Sequence, residues 1–153
     1  MHPEDKLKEL GLGLPSVATP IANFVNYRLI GDMLYLSGQG PREDDGTLHK
    51  GKLGENVSTE EGYEHAKRVG LNLIAVTKEA LGDLDKVVGW VKLLGMVNAT
   101  PDFPDHPKVI NGCSDLLVAV FGERGAHARS AVGFSSLPNG ITVEIEAIVQ
   151  VRI

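Results

Sequence analysis

Residues 128–134 read ARSAVGF, residues 137–140 read LPNG and residues 141–149 read ITVEIEAIV. Small and β-branched residues lie on both sides of a turn in which the pair Asn139-Gly140 tolerates positive φ, so the stretch predicts a hairpin of two strands. Because side chains alternate along a strand, Glu144 and Glu146 share one face of the second strand. Arg129 lies at the start of the first strand. Taken alone, this chemistry favours an Arg-Glu ion pair that closes the hairpin.

Length and composition bound the rest of the interpretation. The chain has 153 residues, of which 42% are hydrophobic and 23% charged, which is typical of one globular domain. Fifteen Lys and Arg against twenty Asp and Glu give a net charge of −5, so neither a nucleic-acid nor a membrane-surface partner is expected. No apolar run is long enough to span a membrane, and one cysteine allows no internal disulfide. We therefore expect a cytoplasmic protein.

The first half of the chain predicts a short helix, a hairpin, a loop and a long helix. Residues 3–10 are charged and end at glycines, as in a solvated helical cap. Residues 24–30 and 33–37 form the hairpin around Gly31-Asp32, and residues 42–57 are polar and glycine-punctuated, as in a long surface loop. Ser58 and Glu61 have the spacing of a capping box that begins a helix, which Gly82 ends.

The second half predicts a buried strand and a second helix. Residues 86–97, KVVGWVKLLGMV, carry large apolar side chains in both alternating sets, Val88, Trp90, Leu94 and Met96 against Val87, Val91 and Leu93. Such a strand is covered on both faces, by helices on one and by a second subunit on the other. A proline-rich loop then leads to a helix with a buried stripe that includes Cys113. The element order predicts an α+β sandwich, with one mixed sheet and two helices on one face.

The candidate chemical groups lie at the ends of these elements. The five histidines show no metal-ligand spacing and no pairing, so we expect no metal, and His65 is predicted to be exposed. Cys113 lies on a buried stripe and is expected to be an inert hydrophobe. Arg129 is suited to grip a carboxylate, and a glutamate facing the same cavity could hold or deprotonate a water molecule. Ser37 and Asn111 complete the set of candidates.

These residues also carry a resemblance to a known family. Ser37-Gly38-Gln39, Asn111, Arg129-Ser130, Leu137-Pro138-Asn139-Gly140 and Val143-Glu144-Ile145-Glu146-Ala147-Ile148 resemble the YjgF/RidA family of reactive intermediate deaminases, once named endoribonuclease L-PSP. The resemblance covers most of the chain after about residue 20. It implies a chorismate-mutase-like (bacillus type) fold and a homotrimer with a central barrel and clefts between subunits. The expected division is an N-terminal helix and connector over residues 1–20 and one YjgF/RidA-like domain over residues 21–153.

The resemblance also implies an activity and the residues that carry it. It implies hydrolysis of 2-imino or enamine acids, products of pyridoxal-phosphate enzymes, to 2-keto acids and ammonia without a cofactor. Arg129 would hold the substrate carboxylate and Glu144 would orient the hydrolytic water, with Ser37, Phe24 and Asn111 lining the cleft. Glu146 is left as structural.

Three departures from the family pattern bear on the cleft. Phe24 stands where many members have a tyrosine, Ala131 stands where a cysteine is frequent, and the 42–57 loop is longer than in compact members. Two alternatives therefore stay open. One is a non-catalytic trimer that binds small carboxylates; the other is an endoribonuclease or translation inhibitor.

Overall fold

Three α-helices and five strands make up the computed structural model, which describes residues 1–153. Their order along the chain is α1 (Pro3–Glu9), β1 (Tyr27–Ile30), β2 (Met33–Gln39), α2 (Thr59–Leu81), β3 (Val87–Asn98), α3 (His106–Phe121), β4 (Ala128–Phe134) and β5 (Val143–Val151). Short 3₁₀ turns cover Leu84–Lys86, Gly122–Gly125 and Pro138–Gly140. The strands form one mixed sheet in the order β1-β2-β5-β3-β4. The predicted α+β class and the first hairpin, β1 with β2, are confirmed.

The predicted hairpin of β4 with β5 is wrong, because β3 lies between them. β4 pairs with β3 in parallel, and β5 pairs with the other edge of β3 in antiparallel orientation. The turn itself has the expected backbone, with positive φ at Asn139 and Gly140. The connection nevertheless passes over the end of β3, where the Asn98 amide donates to Thr142 O at 2.9 Å and its side chain donates to Ile141 O at 3.1 Å. The prediction of a tight turn at Asn139-Gly140 is therefore confirmed, whereas the predicted pairing of the two strands that flank it is not.

Helices α2 and α3 cover one face of the sheet, as predicted. α2 begins with the expected capping box of Ser58 and Glu61 and ends at Gly82 in the left-handed conformation. The two helices approach closely at Gly112, where an added Cβ would meet the carbonyl oxygen of Tyr63. Cys113 is fully buried beside this contact, as predicted.

Strand β3 does not alternate as simply as its sequence predicts. Two register shifts against β5, between Val87 and Gly89 and between Trp90 and Lys92, each insert one extra residue. Trp90 and Leu93 therefore both face the helices and are buried, while Val91 is exposed on the opposite face. Only the C-terminal end of this second face is covered within the chain, where Met96 packs with Leu137 and Ile141. We call this second face the open face.

The N-terminal helix is docked and is not the solvated cap that its charge predicts. Leu7 of α1 is only 3% exposed and belongs to the main core. The long 42–57 loop is likewise anchored, since its Leu53 is fully buried and isolated bridges join it to Ile141 and Ala99. None of the helices has the length and apolarity that crossing a membrane requires.

Candidate functional site

Arg129 lies in β4 on the face of the sheet that the helices cover. Its register partner in β3 is the buried Leu93. The half-buried guanidinium donates to Ser114 Oγ at 3.0 Å and to Pro107 O at 3.3 Å, both in α3. Both acceptors are uncharged, and none of the chain's ion pairs includes Arg129. The alternative of an Arg-Glu ion pair is therefore wrong.

Asn111 lies close to this arginine by its place on α3. It follows Pro107 by four residues and precedes Ser114 by three, which puts all three on one side of the helix. Ser114 is held in turn by His127, whose Nε2 lies 2.9 Å from the serine Oγ, while His127 Nδ1 lies 2.6 Å from Gly125 O. Of the predicted set, Asn111 thus lies on the side of α3 that carries the two acceptors of Arg129.

Glu144 lies on the open face, opposite to Arg129. Its register partner is Met96, and Glu146 pairs with Leu94 on the same face. Burial, and then the charge of Glu146, raises the pKa of Glu144 above its ordinary value. Gly38 of β2 lies directly against this carboxylate, because an added Cβ would collide with Glu144 Oε2. The absence of a side chain at Gly38 thus leaves room for a candidate catalytic group.

Ser37 and Phe24 line one depression at the β2 end of the sheet. The Ser37 hydroxyl donates to Val25 O at 2.6 Å and so fixes the segment that carries Phe24. Phe24 is 50% exposed, and both residues line a cavity of about 280 Å³. Ser37 follows Leu36, which faces the helices with its partner Ala147, so Ser37 lies on the open face with Glu144.

Five predicted site residues therefore form two groups on opposite faces of one sheet. Arg129 and Asn111 lie on the helix side of the β4 edge. Ser37 and Glu144 lie on the open face, and Phe24 lies beside Ser37. One chain does not bring the arginine and the glutamate into a common cavity.

A pair of histidines was missed by the sequence interpretation. The rings of His49 and His65 stack with centroids 4.3 Å apart and an angle of 12° between their planes. His65 Nδ1 lies 2.9 Å from Thr142 Oγ1, and His49 Nε2 lies 3.3 Å from Glu43 Oε2. His65 is thus half-buried, contrary to the prediction that it is exposed. Burial, and then His49, lowers the pKa of His65.

The histidine pair borders a cavity of about 430 Å³ between the 42–57 loop and α2. Its charged lining residues include Glu43, Glu64, Lys67 and Arg68. Sixteen residues separate the two histidines, and no local pattern links a loop residue to a helix residue across that distance. Only the packing of the loop along Thr142, whose amide donates to His49 O, brings them together.

Comparison with known proteins agrees with this fold. Residues 4–143 match the model of the family described as "YjgF/chorismate_mutase-like, putative endoribonuclease". Protein TCP17 of Trypanosoma cruzi is 43% identical over 147 residues, which are 95% of this chain and 92% of that protein. The chain belongs to the YjgF/chorismate mutase-like family.

Two solved structures extend the comparison. A structure from Shewanella oneidensis, described as that of "a putative endoribonuclease", has a TM-score of 0.95 at 34% identity, covering 99% of this chain and all of that one. RidA from an Antarctic Psychrobacter has a TM-score of 0.57 at 25% identity, covering 89% of this chain and 94% of that one. The resemblance to the YjgF/RidA family drawn from the sequence is confirmed.

Proposed function

We propose that this protein hydrolyses 2-imino acids and their enamine tautomers to 2-keto acids and ammonia, in clefts between the subunits of a homotrimer. One observation carries the proposal. The guanidinium of Arg129 is half-buried and hydrogen-bonded only to uncharged acceptors, so its positive charge has no counterpart within the chain. An exogenous carboxylate is the planar, bidentate partner that such a group binds best.

The division of the candidate residues between two faces supports a site made by two chains. Arg129 and Asn111 of one subunit can meet Glu144, Ser37 and Phe24 only if the open face of a second subunit is placed against the β4 edge. Exposed apolar side chains on the open face and on β4, among them Tyr35, Val132 and Phe134, favour such a contact. The family resemblance implies a trimer for this assembly.

In the proposed reaction, water adds to the imine carbon and no covalent enzyme intermediate forms. Arg129 holds the carboxylate and positions C2 of the substrate. Glu144 accepts a proton from the attacking water, and its raised pKa makes it a stronger base than an exposed glutamate. Glu144 passes this proton to the imine nitrogen, which gives the neutral carbinolamine. Transfer of the carbinolamine hydroxyl proton to the nitrogen then breaks the C–N bond and releases ammonia and the 2-keto acid.

A thiol takes no part in this scheme. Ala131 stands where a cysteine is frequent in the family, and the one cysteine of the chain, Cys113, lies in the core. Burial raises the pKa of the Cys113 thiol to about 12, which leaves no thiolate at neutral pH. The proposed chemistry is therefore water addition assisted by Arg129 and Glu144.

The proposal is tested by competition with semicarbazide. An amino acid oxidase generates 2-iminopropanoate in situ, and the protein should divert it from the semicarbazone to pyruvate. Arg129→Ala should lose this effect at least about a hundredfold, since a charge-assisted bidentate contact contributes about 3 kcal/mol. Arg152→Ala is the matched control, because Arg152 is exposed and bonds to Asp85 O at the far end of the sheet.

Three outcomes separate the readings of this test. Loss in Arg129→Ala with retention in Arg152→Ala supports the deaminase. Binding of a 2-keto acid that depends on Arg129, without turnover of any imine, identifies the non-catalytic carboxylate-binding trimer. Turnover that is equal in both variants contradicts the assigned role of Arg129.

An endoribonuclease is the second candidate, and the histidine pair favours it. Two imidazoles beside Lys67 and Arg68 are the groups that general acid–base cleavage of a phosphodiester uses. The Shewanella relative is named for this activity. RNA cleavage that co-purifies with the protein and disappears in His49→Ala would establish it. Cleavage that fades on further purification, or persists in His49→Ala, would exclude this site.

A further inference from the structure

A carboxylate-free cavity lies on the helix side of β4, beyond Arg129. It measures about 400 Å³, and its only ionisable lining residues are Lys52 and His106. Both are basic, in a chain whose net charge is −5. Such a cavity, close to the unpaired guanidinium, selects for a negatively charged group.

The histidine is held in place by its neighbours. Phe103 packs edge-on against the His106 ring, with centroids 5.4 Å apart and planes at 84°. On the other side lies Gly133 of β4, where an added Cβ would collide with His106 Nε2. A glycine at this position of an exposed edge strand therefore makes room for the imidazole. The ring is confined to one place at the wall of the cavity.

The second basic group equips the cavity for an anionic ligand. The Lys52 ammonium donates to the carbonyl oxygen of Ser135, which fixes the ammonium beside the cavity. Thr100 also lines the cavity, but its hydroxyl oxygen is buried against Gly54 and is closed to a ligand there.

The cavity and the Arg129 guanidinium lie on the same face of β4, one after the other along the strand. Gly133 follows Arg129 by four residues in β4, so both face α3, and their Cα atoms are roughly 13 Å apart. The guanidinium reaches Pro107 O, and Pro107 is the residue next to His106. The guanidinium contact and the cavity wall at His106 therefore lie at neighbouring residues of α3, a spacing that suits the two ends of a five- or six-carbon chain.

We propose that this cavity binds a second, distal carboxylate of the substrate, so that the preferred substrates are imines of dicarboxylic amino acids with five or six carbons. Lys52 and His106 bind the distal carboxylate. This inference rests on the proposed function for the place of the first carboxylate at Arg129. It adds a class of substrate that the family resemblance does not imply.

Binding of the product keto acids tests the cavity without requiring turnover. Calorimetry compares oxaloacetate, 2-oxoglutarate and 2-oxoadipate with 2-oxohexanoate, a monocarboxylate whose side chain is uncharged. We expect the two longer dicarboxylates to bind at least about tenfold more tightly than 2-oxohexanoate, as one charge-assisted hydrogen bond predicts, and oxaloacetate to gain less because it is shorter. Lys52→Met should reduce this ratio about tenfold. Lys86→Met, at an exposed lysine far from the cavity, should leave it unchanged.

Turnover then separates this inference from the proposed function. Imines generated from glutamate and from methionine, of similar length, are compared in kcat/KM. A preference for the glutamate imine that Lys52→Met or His106→Gln removes supports the inference. Equal binding of dicarboxylates and 2-oxohexanoate by the folded parent overturns it, even if imino acids with uncharged side chains are hydrolysed. Tight dicarboxylate binding without turnover of any imine retains the cavity assignment and refutes the deaminase.

Discussion

Arg129 and Glu144 lie on opposite faces of the same sheet, separated by strand β3. Their register partners in β3 face opposite sides of the sheet. Arg129 pairs with Leu93, which faces the helices, and Glu144 pairs with Met96, which lies on the open face. No rotation of either side chain brings the two together across a packed sheet. If both serve one reaction, two copies of the chain must supply them.

This geometry predicts complementation between two inactive variants. The Arg129→Ala and Glu144→Gln proteins, mixed in equal amounts and refolded into the proposed trimer, should regain about a quarter of the parent activity, because each cleft would draw one residue from each neighbour at random. Deaminase assays after denaturation and refolding measure the recovery. Each variant refolded alone is the control, and a mixture no more active than its components would show that the two residues do not serve one shared cleft.

Glu144 should weaken the fold at neutral pH. Because burial raises its pKa, the folded state binds a proton more tightly than the unfolded chain, and stability falls as pH rises from about 4.5 through the folded pKa. Glu144→Gln should therefore melt at a higher temperature than the parent at pH 7, by about 1–2 °C at this half-exposed position. The difference should shrink towards pH 4. A variant that is less stable at pH 7 would contradict the assigned cost of ionisation.

Gly38→Ala should displace the Glu144 carboxylate. An added Cβ collides with Glu144 Oε2, and the side chain can move, so activity should suffer more than folding. We expect kcat to fall about tenfold, as for a misplaced general base. Gly13→Ala is the control, since nothing lies within 4 Å of its added Cβ. Unchanged kcat in Gly38→Ala would show that the position of this carboxylate does not limit the reaction.

His65 should make the protein sensitive to mild acid. Its folded pKa is lowered, so the stability it contributes is complete above pH 6.5 and is lost as pH falls through the folded pKa. Thermal melts at pH 7.5 and pH 5.5 should therefore show a larger decrease for the parent than for His65→Gln. The carboxylates Glu61, Glu43 and Glu64 near the ring oppose the shift. Equal decreases in the two proteins would rule out His65 as the titrating group.

Gly112→Ala should be strongly destabilising. The new methyl group would overlap the Tyr63 carbonyl oxygen, which is backbone and cannot rotate away. Separating α2 from α3 to accommodate it should cost about 1–3 kcal/mol, and so lower Tm by at least roughly 2 °C. Chemical denaturation checks the value, with Gly13→Ala again as the neutral reference. A loss below 0.5 kcal/mol would mean that the helices separate easily.

Local signals in the sequence predicted where helices and strands begin and end better than they predicted which strands pair. The capping box of Ser58 and Glu61 begins α2, and Gly82 ends it. Each signal involves residues within one helical turn, and both predictions are confirmed. The pairing of β4 depends on a crossover around the end of β3, which no residue near Asn139-Gly140 encodes. The bulges of β3 defeated the period-2 interpretation of Trp90 and Val91 for a similar reason, because an extra residue is visible only against a partner strand.

The candidate site shows the same division. Arg129, Asn111, Ser37 and Glu144 were named from the sequence, but their separation into two groups follows from strand order alone. His49 and His65 could not be paired in advance, because one lies in a loop and the other on a helix. Their meeting requires the loop to pack along Thr142, a contact that depends on the whole fold.

The central place of β5 in the sheet has a consequence for biosynthesis. β5 follows the other four strands in the chain and yet lies between β2 and β3, so it joins the β1-β2 ribbon to the β3-β4 ribbon. While the chain emerges from the ribosome, these two ribbons have no common hydrogen bonds until residues 143–151 have been translated. Until then, the β3 edge that pairs with β5 in the folded protein stays unpaired in the nascent chain. We therefore expect chaperone binding to matter most during that interval.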